Sequence, residues 1–302
     1  LEDYNDNDEF YGKVQGQLKL NKDIGYDLIC PTDWMAARYI RLGYAQKLDK
    51  ANIPNSKNIL PALASVPYDT DRSYSLTWQG IMGGFTWNKE KLPKGIHTLD
   101  ELFAPANKGK IEVLTELRDT VGVIMLAQGV DITKFTKDQY YNALDFLQKK
   151  IADGFIRQVK GNDYKEDLIS GDAVAVIGWS GDAFQLAAEN DGKFEFAIPE
   201  SGGTISADNF IIPSTSKNKA NVEKLINYYY DPAVAAKVAA YVNYICPVQG
   251  AQEAMAKVDP SLVNNELIFP TAKTQSRLQV FRPLTPAEET EFSAALQKAA
   301  GN

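Results

Sequence analysis

Tyr26-Asp27-Leu28-Ile29-Cys30-Pro31 is a short apolar run that predicts a buried strand, and the proline ends it because proline cannot donate a ladder hydrogen bond. Thr32-Asp33 follows at once and supplies an N-cap for a helix. That helix carries the apolar residues Met35 and Tyr39 and ends at Gly43, a residue type that favours helix C-caps. A strand followed directly by a helix is the unit from which α/β folds are built.

The same alternation continues along the chain. The run over 173–178 is almost entirely apolar, which predicts a strand that is buried on both faces. The other predicted elements are strands over 110–114 and 209–213 and helices over 119–129, 138–151, 222–229 and 232–241. The alternation predicts an α/β protein with mainly parallel sheets.

Length and charge narrow the class of protein. The chain has 302 residues, which predicts two domains at roughly 150 residues each. No apolar run approaches the ~18 residues that a bilayer-spanning helix needs. Lys and Arg number 32 against 39 Asp and Glu, for a net charge of -7. This balance argues against a nucleic-acid partner, since phosphates call for a basic surface, and it fits a cationic partner and plain solubility equally well.

Two glycine-rich passages suggest how the domains are connected. Gln79–Gly84 and Ser201–Thr204 enclose a self-contained α/β block. A chain that leaves one domain, builds another and returns through extended crossovers has this organisation. Ordinary loop glycines are the alternative interpretation.

Signals for catalysis, cofactors and metals are weak. The sequence shows no phosphate loop, dinucleotide fingerprint or nucleophile elbow, and we expect neither a cofactor nor a metal. The one histidine, His97, is better interpreted as a solvated loop residue, because no nucleophile lies beside it. Cys30 and Cys246 fit either two buried thiols or a single bridge. A hydrolase or transferase is the alternative class and would need an activated nucleophile.

Aromatic and acidic residues stand together where predicted strands end. Asp33 and Trp34 follow the first strand, Trp179 closes the apolar strand over 173–178 with Asp182 soon after it, and Asp208 opens the strand over 209–213. Ligands of open α/β sheets lie at the carboxyl ends of strands. A carboxylate pairs with an ammonium group, and an indole adds an apolar wall with cation–π attraction. The pattern favours a cation-binding cleft, although each tryptophan taken singly also fits a core and each aspartate a cap.

These segments resemble the spermidine/putrescine-binding proteins, the solute-binding proteins of ABC importers. The resemblance covers essentially the whole chain in the right order. It is carried by GYDLICPTDW over 25–34, WSGD over 179–182, ADNFIIP over 207–213, KLIN over 224–227 with the following Asp231-Pro232, and NYICP over 243–247.

The resemblance implies a two-lobed periplasmic-binding-protein fold, in which each lobe is a mainly parallel sheet flanked by helices and a hinge lets the lobes close on a ligand. We expect lobe 1 to comprise 1–82 and 207–250, and lobe 2 to comprise 83–206 and 251–302. The family implies no catalysis, an extracytoplasmic location (periplasmic or lipid-anchored outside the membrane) and an ABC permease as the partner. We expect a monomer. The ligand it implies is a polyamine such as putrescine or spermidine.

The resemblance also assigns roles to individual residues. Trp34 is similar to an aromatic wall of the first lobe, and Trp179 to the second-lobe aromatic that stacks along the amine. Asp182 and Asp208 match acids that hold ammonium groups, and Tyr244 matches a pocket tyrosine that stacks or hydrogen-bonds.

Two positions depart from the family pattern. Thr120 stands where the family often has a glutamate, with Glu116, Arg118 and Asp119 nearby to compensate or to cancel charge. Ser206 stands where an aromatic usually precedes the acid at Asp208. The loss of one acid and one wall makes a shorter diamine, a monoamine or an amino-acid-like ligand more plausible, whether the pocket is natural or engineered.

The beginning of the chain also departs from the family. The sequence opens at what resembles the family's second strand, so lobe 1 lacks the family's first strand and helix. A lobe without its central strand would expose unpaired backbone. We therefore expect an intact mass above that of the 302 residues, and a measured mass equal to theirs would contradict this.

Overall fold

The computed structural model describes residues 2–301 and divides into two compact units. The first unit comprises Leu1–Ile81 and Ser206–Pro270, and the second comprises Met82–Ile205 and Thr271–Asn302. The chain crosses between the units three times. Two of the crossings lie inside long strands, at the two glycine-rich passages.

Helices and strands alternate along the described residues. None of these helices combines the length and apolar character needed to cross a membrane. The helices are α1 (Asn7–Lys19), α2 (Asp33–Arg41), α3 (Leu99–Leu102), α4 (Leu117–Ala127), α5 (Lys137–Ala152), α6 (Tyr164–Ser170), α7 (Ser180–Glu189), α8 (Lys219–Tyr229), α9 (Pro232–Val242), α10 (Ala251–Met255), α11 (Ala272–Gln275) and α12 (Pro286–Ala300). The strands are β1 (Ser75–Asn88), β2 (Ile111–Leu114), β3 (Ile156–Lys160), β4 (Ala175–Trp179), β5 (Phe194–Ala197), β6 (Gly203–Ile211) and β7 (Leu278–Gln279).

In the first unit, the apolar run over 26–31 forms a shorter pairing than the strand predicted from its sequence. The Ile29 N–H donates to the Ile211 carbonyl at 3.0 Å, and the Ile211 N–H returns the bond to Ile29 at 2.9 Å. The Asn209 N–H then donates to the Pro31 carbonyl. Pro31 has no N–H of its own to donate, and the pairing with β6 ends one residue later, at the bridge between Thr32 and Asp208, where α2 begins.

The sheet of the second unit is mixed, whereas the sequence pattern predicts mainly parallel strands. The strand order is β3-β2-β4-β1-β6-β7, and β5 also pairs with β1. Strands β2, β3 and β4 run parallel to each other and are separated in sequence by helices, as parallel crossovers require. The crossing strand β1 pairs antiparallel with β4 and β5. The sequence pattern identified β2 and β4 but not β3, and it gave no indication of the antiparallel pairing of β1.

Residues 251–270 lie in the first unit, although the expected lobe boundaries put them in lobe 2. The Cys246 N–H donates to the Ile268 carbonyl, and the Gln252 amide donates to the Val263 carbonyl. These hydrogen bonds attach the segment that contains α10 to the first unit, and the chain crosses to the second unit after Pro270. The third crossing has no glycine-rich passage, so no local signal predicts it.

Candidate ligand-binding site

Asp208 is anchored in the first unit at the end of the Tyr26–Pro31 segment. Its Oδ1 accepts a hydrogen bond from the Thr32 hydroxyl at 2.8 Å, and the two residues form a β-bridge. Thr32 is the N-cap of α2, but its hydroxyl makes no cap hydrogen bond and serves Asp208 instead. Asn7 of α1 fixes Thr32 from the other side, with its amide nitrogen 2.9 Å from the Thr32 hydroxyl oxygen. Asp208 is half-buried and held by a neutral donor.

The negative charge of Asp208 acts on two neighbours. Burial, reinforced by Asp208, raises the pKa of the Tyr4 phenol, and the same two causes raise the pKa of the Cys30 thiol. The Tyr4 hydroxyl donates to the Cys30 carbonyl at 3.0 Å, which holds its ring beside this segment. Both side chains are neutral at physiological pH and add no charge of their own beside Asp208.

Trp34 lies in the first turn of α2 and is half-buried. The Arg38 guanidinium, one turn further along, lies 5.1 Å from the centre of its ring and also forms an ion pair with Asp8 at 3.0 Å. The Asp33 carboxylate accepts from the Trp34 backbone N–H at 2.7 Å and so caps the helix next to the ring. The indole thus already attracts a cation supplied by its own helix.

Ser206 and Tyr244 also lie in the first unit, and both are half-buried. Ser206 is two residues before Asp208 in β6, so the two side chains lie on the same face of that strand. Tyr244 follows Asn243, which ends α9 in a left-handed conformation. The next residue, Ile245, forms a β-bridge with Gly80, which fixes the position of this turn.

In the second unit, Trp179 is held by a buried acid. The indole N–H donates to Asp119 Oδ2 at 2.8 Å, and the Thr204 hydroxyl donates to Asp119 Oδ1 at 2.5 Å. Asp119 lies in the first turn of α4 and is 5% exposed, whereas Trp179 is half-buried. Burial raises the pKa of the Asp119 carboxyl, and the hydrogen bonds from Thr204 and Trp179 oppose that rise.

Glycines make room for this arrangement. Gly83 of β1 stands opposite Trp179 of β4 in the sheet. A Cβ on Gly83 would lie 2.1 Å from the Thr204 hydroxyl oxygen and 2.8 Å from Asp119 Oδ1, and a Cβ on Gly203 would lie 2.6 Å from the Gly83 carbonyl oxygen. The two glycine-rich passages therefore meet in the second unit because the acid and the two strands need the space.

Asp182 and Thr120 have partners inside the protein. Asp182 is 4% exposed; it accepts from the Tyr164 hydroxyl at 2.9 Å, and the Lys165 ammonium lies 3.5 Å from its other oxygen. Thr120 is fully buried, and its hydroxyl donates to the Leu114 carbonyl at 2.8 Å. Asp182 thus holds the Tyr164 hydroxyl, and Thr120 holds the start of α4.

The charged residues next to Thr120 in sequence have different partners. Arg118 forms ion pairs with Glu116 at 3.3 Å and with Glu289 at 3.7 Å, while Asp119 points to Trp179. Arg118 therefore compensates Glu116, and Asp119 is the acid that belongs to the aromatic. The described residues contain no group of His, Cys, Asp and Glu side chains suited to hold a metal ion.

Sequence reasoning did not identify the roles of Thr32, Arg38 and Thr204. Arg38 was recognisable in principle, because it is four residues after Trp34 on a predicted helix. Thr32 and Thr204 reach acids far away in sequence, and no local signal marks them.

Solved structures share this fold. The lipoprotein Tp0655 (TpPotD) of Treponema pallidum superposes with a TM-score of 0.82 at 19% identity, covering 100% of this chain and 91% of that one. The spermidine/putrescine ABC transporter substrate-binding protein PotD of Streptococcus pneumoniae gives 0.78 at 20% identity, covering 95% and 86%. The two-lobed α/β fold class expected from the sequence is confirmed by these likenesses.

The sequence has named relatives as well. It is 27% identical to the spermidine/putrescine-binding periplasmic protein of Escherichia coli over 275 residues, covering 90% of this chain and 75% of the relative. It is 26% identical to the putrescine/cadaverine-binding protein of Pseudomonas aeruginosa over 290 residues, covering 91% and 80%. The resemblance to this group is confirmed, and residues 2–269 match a family described as extracellular, which confirms the extracytoplasmic location. The chain therefore belongs to the family of bacterial extracellular solute-binding proteins.

Proposed function

We propose that this protein binds a small cationic amine outside the cytoplasm and delivers it to the permease of an ABC importer. The observation that carries the proposal is the half-buried Asp208 carboxylate, which accepts a hydrogen bond from Thr32. Thr32 precedes Trp34 by two positions in the sequence, so the acid and the indole belong to the same segment. The relatives named above bind putrescine, spermidine or cadaverine by their names, and one structural neighbour is a substrate-binding protein of an ABC transporter.

The chemistry of the first unit suits an ammonium group. An ammonium needs hydrogen-bond acceptors and a negative charge, and its methylenes need an apolar wall. Asp208 supplies the charge, and Trp34 supplies the wall. The Arg38 guanidinium lies 5.1 Å from the centre of the Trp34 ring, which supports the proposal that this ring can face a cation. Asp33, which contacts Trp34, and Ser206, on the same face of β6 as Asp208, remain part of the proposed site, and Tyr244 remains part of it through the resemblance.

The second unit carries a comparable pair in Trp179 and Asp119. Asp119, next to the position where the family often has a glutamate, belongs to the proposed site because its carboxylate accepts a hydrogen bond from the indole of Trp179. Asp182 keeps a supporting role through Tyr164, whose ring lies 6.0 Å from that of Trp179. The proposal includes no catalytic step and no cofactor, and it takes the monomer as the working form.

An amino-acid-like ligand is the second candidate. Ser206 provides less apolar wall than an aromatic would, which favours a ligand shorter than a long polyamine. Arg38 lies beside Trp34 with a guanidinium that pairs with carboxylates, as its contact with Asp8 shows. A ligand with one amine and one carboxylate would use both charges of this region.

A thermal-shift panel separates these candidates. Putrescine, spermidine, choline, basic amino acids and γ-aminobutyrate are each added to the purified protein, and a true ligand raises the unfolding midpoint because it binds the folded form. A shift with the diamines supports the amine proposal, and a shift with γ-aminobutyrate alone supports the second candidate. No shift with any cation would contradict the proposal.

Calorimetric titration of Asp208→Asn then tests the site. We expect binding to weaken by at least ~10-fold, because a charge-assisted hydrogen bond to the ammonium is lost. Glu253→Gln is the matched control, since it removes one negative charge from an exposed position of the same unit. Equal affinity of Asp208→Asn and the control would remove Asp208 from the site.

A further inference from the structure

The hydrogen bond between Trp179 and Asp119 has a fixed polarity. An indole N–H can only donate, so Asp119 Oδ2, at 2.8 Å, must accept. The other oxygen, Oδ1, receives the Thr204 hydroxyl. The carboxylate is thus held at the nitrogen edge of the indole with both oxygens engaged, and its 5% exposure leaves it largely shielded from water.

We infer that Asp119 is a positioning residue that acts on the ligand through Trp179, by orienting the indole and making its exposed face more attractive to a cation. A carboxylate that accepts from the indole N–H shifts electron density toward the ring. It also places a poorly screened carboxylate at the nitrogen edge of the ring, and both effects strengthen a cation–π contact. The inference deepens the proposed function, on which it rests, by adding a residue that determines preference for cations.

The surroundings show why Asp119 acts indirectly. Thr204 and Trp179 each donate a hydrogen bond to one oxygen of Asp119. Only glycine fits at position 83, because a Cβ there would lie 2.8 Å from Asp119 Oδ1. Tyr164 packs against the indole at 6.0 Å and accepts a hydrogen bond from the Trp179 backbone N–H at 3.3 Å. The ring is therefore fixed at its nitrogen edge and at its backbone, while it remains half-buried.

Fluorescence quenching in the ligand-free protein tests the inference without a known ligand. The Trp179 signal is obtained as the difference between wild type and Trp179→Phe, and it is quenched with Cs⁺, which is cationic, and with acrylamide, which is neutral. Acrylamide reports access to the ring, so the Cs⁺-to-acrylamide ratio reports attraction of a cation. We expect Asp119→Asn, which preserves shape and an acceptor oxygen, to lower this ratio at least threefold.

Asp100→Asn is the matched control, because it removes one charge from an exposed position of the second unit. We expect its ratio to equal that of wild type. A ratio in Asp119→Asn equal to that of the control would overturn the inference. Should Asp119→Asn fail to fold, Asp119→Ser takes its place in the same comparison with Asp100→Asn: a lower Cs⁺-to-acrylamide ratio supports the inference, and an unchanged ratio overturns it.

Putrescine binding supplies the second test and separates this inference from the proposed function. If wild type does not bind putrescine, the proposal for that ligand fails, and the quenching ratio still decides the role of Asp119. If it binds, we expect Asp119→Asn to weaken binding about 5- to 10-fold in the presence of Trp179 and less than twofold in Trp179→Phe. An equal loss in both backgrounds would mean that Asp119 contacts the ligand directly, which overturns the inference.

Discussion

Glu112 offers a test of the second unit that does not depend on any ligand. It lies in the middle of β2 with its side chain fully buried. One oxygen accepts from Arg157 at 3.2 Å, while the other, also buried, has no hydrogen-bond partner among the described residues. Arg157 is shared with the carboxylate of Asp167, at 3.1 Å. Burial, reinforced by Asp167, raises the pKa of Glu112 from 4.5 to about 7.

The sign and size of the effect follow from this rise. The folded protein holds the proton on Glu112 more tightly than the unfolded chain does. Its contribution to stability is therefore fully present below pH 4.5 and is lost as the pH rises to about 7. A rise of this size corresponds to at most about 3 kcal/mol, at about 1.4 kcal/mol per pH unit. Glu112→Gln imitates the protonated side chain and cannot titrate, so it should not show this loss.

Urea unfolding at pH 5 and pH 8 measures the difference. We expect wild type to lose about 2 to 3 kcal/mol more unfolding free energy than Glu112→Gln between these two pH values. Comparing the change in each protein cancels the titration of all other groups. Glu166→Gln, on the exposed side of α6, is the control and should follow wild type. If the wild-type and Glu112→Gln values change in parallel between the two pH values, the assigned protonation of Glu112 is wrong.

Three further predictions concern packing and thiols. Gly83→Ala should lower the unfolding free energy by about 1–3 kcal/mol and raise the acrylamide quenching of Trp179, because the new Cβ displaces Thr204; unchanged values would contradict the close packing. Arg72→Met should cost about 3 kcal/mol in chemical unfolding, since Arg72 is 2% exposed and its hydrogen bonds to buried oxygens are lost; a cost below 1 kcal/mol would argue against that network. Cys30 and Cys246 are free thiols, and burial raises the pKa of Cys246 to about 11. A thiol reagent at pH 8 should therefore label neither cysteine in the folded protein and both after unfolding. No labelling after unfolding would indicate a disulfide bridge.

The sequence by itself determined the local elements and the group to which the chain belongs. The predicted helices over 138–151, 222–229 and 232–241 correspond to α5, α8 and α9 within a few residues, because hydrophobic periodicity and caps act between close neighbours. The predicted strand over 173–178 corresponds to β4, with Trp179 at its end. Ordered motifs identified the family because they depend on residue order alone.

Only the tertiary structure decided which side chains meet. Asp119 and Trp179 are 60 positions apart, and Thr32 and Asp208 are 176 apart, yet each pair is joined by one hydrogen bond. Likewise, only the tertiary structure brings Asp182 to the Tyr164 hydroxyl, 18 positions away. A carboxylate has the same local sequence signal whether it caps, supports or binds. Its role is set by burial and by the donors that packing brings to it, and these come from distant parts of the chain.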